Sequence, residues 1–279
     1  MQPVPVACNR AYIGWKPAGK VNRVRKPIVH MFPCLKDNYG FLLHDPETGE
    51  TATVDTPEPS RILAEADAKG WTITQIWNTH WHQDHAGGNA EIVARTGAKV
   101  VGPQEIDRIG PAPDRILHEG DAVRLGSITA RVHETPGHTL GHIVYHLPVD
   151  HIAFVGDTLF ALGCGRLFEG TPQQMWTSLG KLRALPENTT VYCAHEYTEA
   201  NARFALSVDA ANQDLIAYSE DVAAKRSHNI PTVPTTIGRE KKANPFLRAD
   251  DPALQAFVGH PGDVVATFAE VRERKNRFL

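Results

Sequence analysis

The stretch NTHWHQDHAGG, Asn78 to Gly88, places His80, His82, Asp84 and His85 within six positions. It follows the apolar run ITQIW and ends in a pair of glycines. Four titratable side chains on one short loop are costly to bury unless something satisfies them. A metal ion, a solvated surface cluster or an acid/base cluster would each explain them.

The flanks narrow the choice. ITQIWNT reads as a strand and GGNAEIVARTG as a helix. The cluster therefore sits where a strand ends and a helix begins, the usual place for function in layered α/β proteins. Zinc and iron take imidazole nitrogen and carboxylate oxygen, with three or four protein ligands per ion. His80 and His82 can converge on one ion, while Asp84 and His85 point towards a second. One loop completes neither site, so further ligands are expected at other strand ends. His138 in TPGHTLGH, Asp157 in FVGDTLF and His195 in VYCAHEYT meet that requirement. A carboxylate such as Asp157 can bridge two ions about 3.5–4 Å apart. One histidine at a strand end is usually a surface or hydrogen-bonded residue. The crowded loop together with its three distant partners favours metal. His30, His44, His118, His133, His146, His151, His228 and His260 read as surface or structural residues. His142 reads as support for the loop rather than as a ligand.

The rest of the chain fits a layered protein. A length of 279 residues allows one large core, or one core with a smaller domain. Apolar content of 42% and charged content of 22% are those of a globular chain. A net charge of −3 gives no basic field for nucleic acid. No apolar stretch is long enough to span a membrane. Cys8, Cys34, Cys164 and Cys193 form no C-x-x-C pair and read as reduced thiols. That places the chain in a reducing compartment, the cytoplasm or, in a eukaryote, the mitochondrial matrix. Residues 1–26 carry basic residues, no acid and no signal-type apolar region, and read as an accessory extension.

IVHMF, GFLLHD and TATVD read as strands, the last two joined as a hairpin by DPETGE. SRILAEADAKG reads as a helix with a serine cap and a glycine stop. KVVGP, DAVRLGSITARVHET, HIVYHLP and HIAFVGDTLF are strand-like; the helix PQQMWTSLGKLRALP and the strand TTVYCAH follow. The mixture predicts two sheets between helical layers. Beyond His195 the segments EANARFALSVD, NQDLIAYSEDVAAKRS and PGDVVATFAEVRERKNRF are helical, with no strand expected.

These motifs resemble a known family. THWHQDH is similar to the H-x-H-x-D-H motif of the metallo-β-lactamase superfamily, and TPGHTLGH, GDTLF and CAHEYT are similar to its later metal motifs. FPCLKDNYGFLL, GCGRLFEGT, NPFLR and VRERKNRF resemble glyoxalase II, the hydroxyacylglutathione hydrolases, from about Val29 to the C-terminus. The resemblance implies a four-layer αββα sandwich with a C-terminal helical domain. Residues 27–195 would be catalytic and 196–279 would bind glutathione. It implies two divalent metal ions, zinc first, with iron or manganese as alternatives. His80, His82 and His138 would hold one, Asp84, His85 and His195 the other, with Asp157 between them. It also implies glutathione contacts from Arg166, Tyr197, Arg272 and Lys275. The last two are three apart on a helix and share a face, which suits one anionic target. Without the resemblance, they would read as a solvated charged face. Phe168 stands where some members carry a tyrosine. Trp81 replaces a histidine of many members, on a side chain that alternates away from the ligands.

The implied reaction is hydrolysis of S-(2-hydroxyacyl)glutathione, typically S-D-lactoylglutathione, to glutathione and a 2-hydroxy acid such as D-lactate. This is the second step of methylglyoxal detoxification. Asp84 or Asp157 would orient the attacking hydroxide. A thiolate of pKa about 8.5 leaves without strong acid help. Cys164 and Cys193 have no free histidine relay and are not expected as nucleophiles. The alternative is a glutathione persulfide dioxygenase with a single iron on the same fold, which would need neither the second ligand set nor the helical tail. A β-lactamase or lactonase leaves RERKNRF unexplained. A binding protein with structural metal would be expected to close its sites. No exposed apolar stripe stands out, so a monomer is expected.

Overall fold

The computed structural model describes residues 25–278. Nearly all of the expected extension, 1–26, and Cys8 with it, lies outside the described residues.

The strands β1 (Ile28–Cys34), β2 (Asn38–His44), β3 (Glu50–Val54), β4 (Thr72–Trp77), β5 (Lys99–Gly102) and β6 (Arg115–Ile116) lie in that order in one sheet. β1, β2 and β3 pair antiparallel, and the expected β2–β3 hairpin is present. From β3 to β6 the pairing is parallel. Side chains alternate across a strand, and in β2 the result is visible: Tyr39, Phe41 and Leu43 enter one core, Leu42 the other. Helices α1 (Pro59–Lys69) and α3 (Asn89–Thr96) cover the Leu42 side through Ile62 and Ile92. Between them the single turn α2 (Gln83–Ala86) carries Asp84 and His85. α1 differs from expectation at its start. Pro59 is its first residue and Glu58 its cap position, with no side-chain capping bond, so Ser60 lies inside the helix. Proline's fixed φ suits that first position. Gly70 ends the helix in the left-handed conformation, as expected.

The second sheet contains β7 (Ala122–Leu125), β8 (Ile128–Glu134), β9 (Ile143–Leu147) and β10 (Ile152–Gly156). A ribbon, β11 (Leu159–Phe160) with β12 (Gly163–Cys164), follows. Helix α4 (Pro172–Arg183) comes next, opened by a Thr171–Gln174 capping box. β13 (Thr190–Cys193) then pairs parallel to β10. The sheets meet through Trp77, Tyr145, Phe154 and Val191, and α4 covers the outer face through Met175, Leu179 and Leu182. Helix, sheet, sheet and helix layers result.

Helices α5 (Thr198–Val208), α6 (Gln213–Arg226), α7 (Ile237–Ala243), α8 (Pro252–Val258) and α9 (Val264–Arg277) complete the described chain. One expectation fails here. β14 (Thr235–Thr236) pairs with β13 and extends the second sheet from within the helical segment. Two threonines after Pro234 carry no periodicity, so only tertiary pairing defines that strand. Phe246, Leu247, Phe268 and Val271 share the inter-layer core with α4. No described helix is long and apolar enough to cross a membrane.

Candidate metal centre

The ends of β3, β4, β8, β10 and β13 converge on one point. Asp55, the residue after β3, sets the frame. Its φ of 58° is left-handed, a conformation that aspartate tolerates better than most residues. Its carboxylate accepts the Thr79 N–H at 2.7 Å and the Thr79 hydroxyl at 2.8 Å. It also accepts His85 Nδ1–H at 2.8 Å. The loop after β4 is thereby tied to the end of the neighbouring strand.

His80, His138 and His195, like His85, are held from behind, which fixes the nitrogen each turns inward. His195 Nδ1–H donates to Asp37 at 2.9 Å, and His138 Nδ1–H to the Arg166 carbonyl at 2.9 Å. The Thr79 hydroxyl, spent as a donor on Asp55, accepts from His80 Nδ1 at 3.0 Å. The free nitrogens of His80, His82 and His138 then crowd together, with His82 Nδ1 3.1 Å from His80 Nε2 and 2.9 Å from His138 Nε2. The inward nitrogens of His80 and His138 carry no proton, and His82 has one to offer to at most one of them, so a cation satisfies all three. The ligand atoms of Asp84, His85 and His195 form a second set, all within 4.8 Å of one another.

Asp157 faces both sets. Its Oδ2 lies 3.4 Å from His138 Nε2. Its Oδ1 lies 3.3 Å from His85 Nε2 and 3.4 Å from His195 Nε2. Asp157 Oδ1 and His85 Nε2 are buried without a hydrogen-bond partner. Buried polar atoms almost always have a partner, so this donor set fits metal. Asp84 Oδ2 reaches His195 at 3.4 Å and accepts from Asn38 Nδ2 at 3.0 Å.

The electrostatics agree. Burial pushes Asp157 up, but the imidazoles of His195, His85 and His138 outweigh it and hold the carboxyl below its ordinary value. Burial, then the neighbouring imidazoles His85, His142 and His138, pushes His80 well down, keeping it neutral and able to bind metal. Burial likewise lowers His82 and His138. His142 supports the loop. Its Nε2 accepts the Asp157 N–H at 3.1 Å, and its ring stacks on His80.

A cavity of about 490 Å³ opens beside Asp157 and His138, and Arg166, Phe168, Tyr197, Arg272 and Lys275 all line it. Arg272 is 5% exposed; its Nη1 donates to the Cys164 carbonyl at 2.8 Å. Lys275 Nζ donates to the Ala200 carbonyl at 3.1 Å. Tyr197 also stacks flat on His195, ring centroids 4.6 Å apart. Phe168 is exposed and meets His82 and His138 edge to face. Trp81 turns outward, donating to Glu169 at 3.0 Å beneath the Arg108 guanidinium. Cys164 and Cys193 are buried, which pushes their thiols up to about 11 and about 12. Neither is an activated nucleophile.

Asp37, Asn38, Asp55 and Thr79 were not among the residues expected in the site. Asp55 follows an apolar strand just as Asp157 does, so a search of strand ends for carboxylates would have found it.

The comparisons agree with this arrangement. Residues 45–195 match the model of the metallo-beta-lactamase superfamily, and residues 196–278 that of the hydroxyacylglutathione hydrolase C-terminus. A hydroxyacylglutathione hydrolase of Maricaulis maris is 60% identical over 252 residues, covering 90% of this chain and 98% of that one. The corresponding protein of Erythrobacter litoralis is 59% identical, with 90% and 99% covered. The crystal structure of ETHE1 from Myxococcus xanthus superposes with a TM-score of 0.65 at 26% identity, covering 88% of this chain and 90% of that one. With identity running at this level across both the metal-binding layers and the terminal helices, the chain belongs to the hydroxyacylglutathione hydrolase family of the metallo-β-lactamase superfamily.

Proposed function

We propose that this enzyme hydrolyses S-(2-hydroxyacyl)glutathione, typically S-D-lactoylglutathione, to glutathione and a 2-hydroxy acid. One observation carries the reading: Asp157 divides its two oxygens between two ligand sets, beside a cavity lined by Arg166, Arg272 and Lys275. His80, His82 and His138 would hold one divalent ion, and Asp84, His85 and His195 a second, with Asp157 between them. Such ions, when bound, lower the pKa of water towards about 7 and polarise a carbonyl oxygen. The imidazole and carboxylate donors suit zinc, and also iron or manganese.

The chain's own residues do the rest. Asp37, Asp55 and Thr79 hold the imidazoles in one tautomer and orientation. Asn38 fixes one oxygen of Asp84, whose side chain is 39% exposed and so reaches the solvent that supplies water. Arg166, Arg272 and Lys275 offer charge to the carboxylates of the tripeptide, and Tyr197 offers a hydroxyl. Phe168 offers none, and forgoes a bond worth about 0.5–1.5 kcal/mol. The thiol leaves as thiolate and needs no acid, consistent with buried, unreactive cysteines. Cys34, Cys164 and Cys193 are free and buried, in keeping with a reducing compartment such as the cytoplasm.

The test is thiol release from S-D-lactoylglutathione by metal-analysed protein. Fast release with two ions per chain, reduced at least about a hundredfold in Asp157→Ala, is expected. A single iron per chain, with oxygen consumed on glutathione persulfide and no thiol released, would replace this reading with the dioxygenase.

A further inference from the structure

A thioester has two arms, and the cationic cavity accounts for one. The acyl arm must leave the reacting carbonyl on another side. A groove of about 440 Å³ reaches the site at Asp84, lined also by Leu35, Pro57, Pro59 and Gln83. It shares Asp84 with one ligand set, whereas the cationic cavity shares His138 and Asp157. Its lining contains no cation and includes a carboxylate, so it disfavours the anionic tripeptide and suits a neutral arm.

Leu35 is the odd residue of that lining. It is 57% exposed and has a φ of 49° in the turn between β1 and β2. A left-handed, branched, apolar residue facing water is unfavourable on both counts, and such outliers gather at functional sites. The turn is held in place: the Leu35 N–H donates to the Glu58 carboxylate at 2.8 Å. The same turn supplies Asp37 to His195 and leads into Asn38, which holds Asp84. The Leu35 wall is therefore built as one piece with the supports of the proposed metal ligands.

We infer that this groove is the acyl subsite, and that Leu35 selects for 2-hydroxyacyl groups bearing an apolar chain or ring larger than the methyl of lactate. The inference rests on the thioester reading above and adds the acyl class to it. The groove has far more room than a three-carbon acyl group fills, and proline rings and Leu35 are its apolar surface.

The test compares kcat/KM for S-acetyl-, S-D-lactoyl- and S-mandeloylglutathione in the full, metal-loaded chain. Mandeloyl is expected to match or exceed lactoyl. Leu35→Asn keeps a residue that tolerates left-handed φ but removes the apolar wall. It should cut mandeloyl turnover at least about tenfold, the scale of a lost apolar pocket contact. Lactoyl and acetyl should change less than about threefold, with metal content and inhibition by glutathione unchanged. Gln83→Phe fills the groove from the exposed first residue of α2. It should lower mandeloyl selectively, and decides the matter if Leu35→Asn fails to fold. Equal losses on all three thioesters, or indifference of mandeloyl to both variants, overturns the acyl subsite while leaving thioester hydrolysis intact. A parent chain that cleaves none of the three overturns the functional reading itself.

Discussion

Asp55 and His85 form a buried pair, Oδ2 to Nδ1 at 2.8 Å, directly behind the Asp84–His85–His195 ligand set. Burial lowers the His85 pKa, but Asp157 and Asp55 more than offset it, so carboxylates flank the ring on both sides. Carboxylates that orient ligand imidazoles typically matter 10–100-fold for metal affinity. Asp55→Asn should weaken metal binding at the His85 set by about that factor, and at the His80 set by less, through Thr79. Chelator competition with metal analysis reads it. Two unchanged affinities would show that Asp55 serves only the fold.

Gly156 ends β10 one residue before Asp157, at a φ of 47°. A Cβ there would lie 2.7 Å from both His142 Nε2 and Thr79 Oγ1. Gly156→Ala should therefore displace Asp157 and the histidine loop together. Strain and overpacking of this kind cost roughly 1–3 kcal/mol each. Loss of bound metal with a lowered urea midpoint is expected, and retention of both ions would contradict it.

Lys275 titrates low. Burial, then the charges of Arg272, Arg203 and Arg166, lower it from 10.5 to about 8. The cation needed for an anionic substrate is present below that pH and lost above it. kcat/KM reports groups of the free enzyme and should fall above pH 8. Lys275→Arg stays charged and should remove that limb, because arginine does not deprotonate in this range. Lys275→Ala should lower kcat/KM below pH 8 by roughly 10–100-fold, the scale of a hydrogen bond to a charged group, and by less above it. An alkaline limb that persists in the arginine variant would belong to another group.

His146 is 7% exposed with an unpartnered Nε2. Burial, then His133 and His151, push it from 6.5 to about 4. The unfolded chain takes up this proton first, so stability held above the unfolded value is lost as pH falls towards the folded one. The slope is up to about 1.4 kcal/mol per pH unit, on the order of 3 kcal/mol in all. His146→Leu should be less sensitive than the parent between pH 7 and pH 4.5 by urea unfolding. Equal sensitivity would assign the acid loss to other buried histidines.

A chain ending near residue 196 should not fold. It would remove Phe246, Leu247, Phe268 and Val271 from the shared core, and β14 from its sheet. Unfolding, rather than a folded enzyme lacking glutathione affinity, is expected of it by circular dichroism.

The residues proposed for both ligand sets stood out in the sequence because each is a metal-binding type at an apolar strand's end or in the loop and turn just beyond it, and such places are local features. The layer order was legible for the same reason: hydrophobic period switches between strand and helix within a few residues. The left-handed start of the site at Asp55 and the turn carrying Leu35 were not, because a backbone angle leaves no trace in composition. Nor was β14, where two threonines become a strand only because β13 offers an unpaired edge. The serine cap expected for α1 gave way to Glu58, since a proline fixed at helical φ starts the helix two residues earlier. The sequence by itself determined which side chains could bind metal and which faces had to be buried. Tertiary structure alone decided which nitrogen His85, His138 and His195 turn inward, because that choice depends on partners distant in the chain, Asp55, Arg166 and Asp37. It also divided Asp157 between two sets and put a groove without cations at Asp84 and a cationic cavity at His138 and Asp157, since both require segments far apart in sequence to meet.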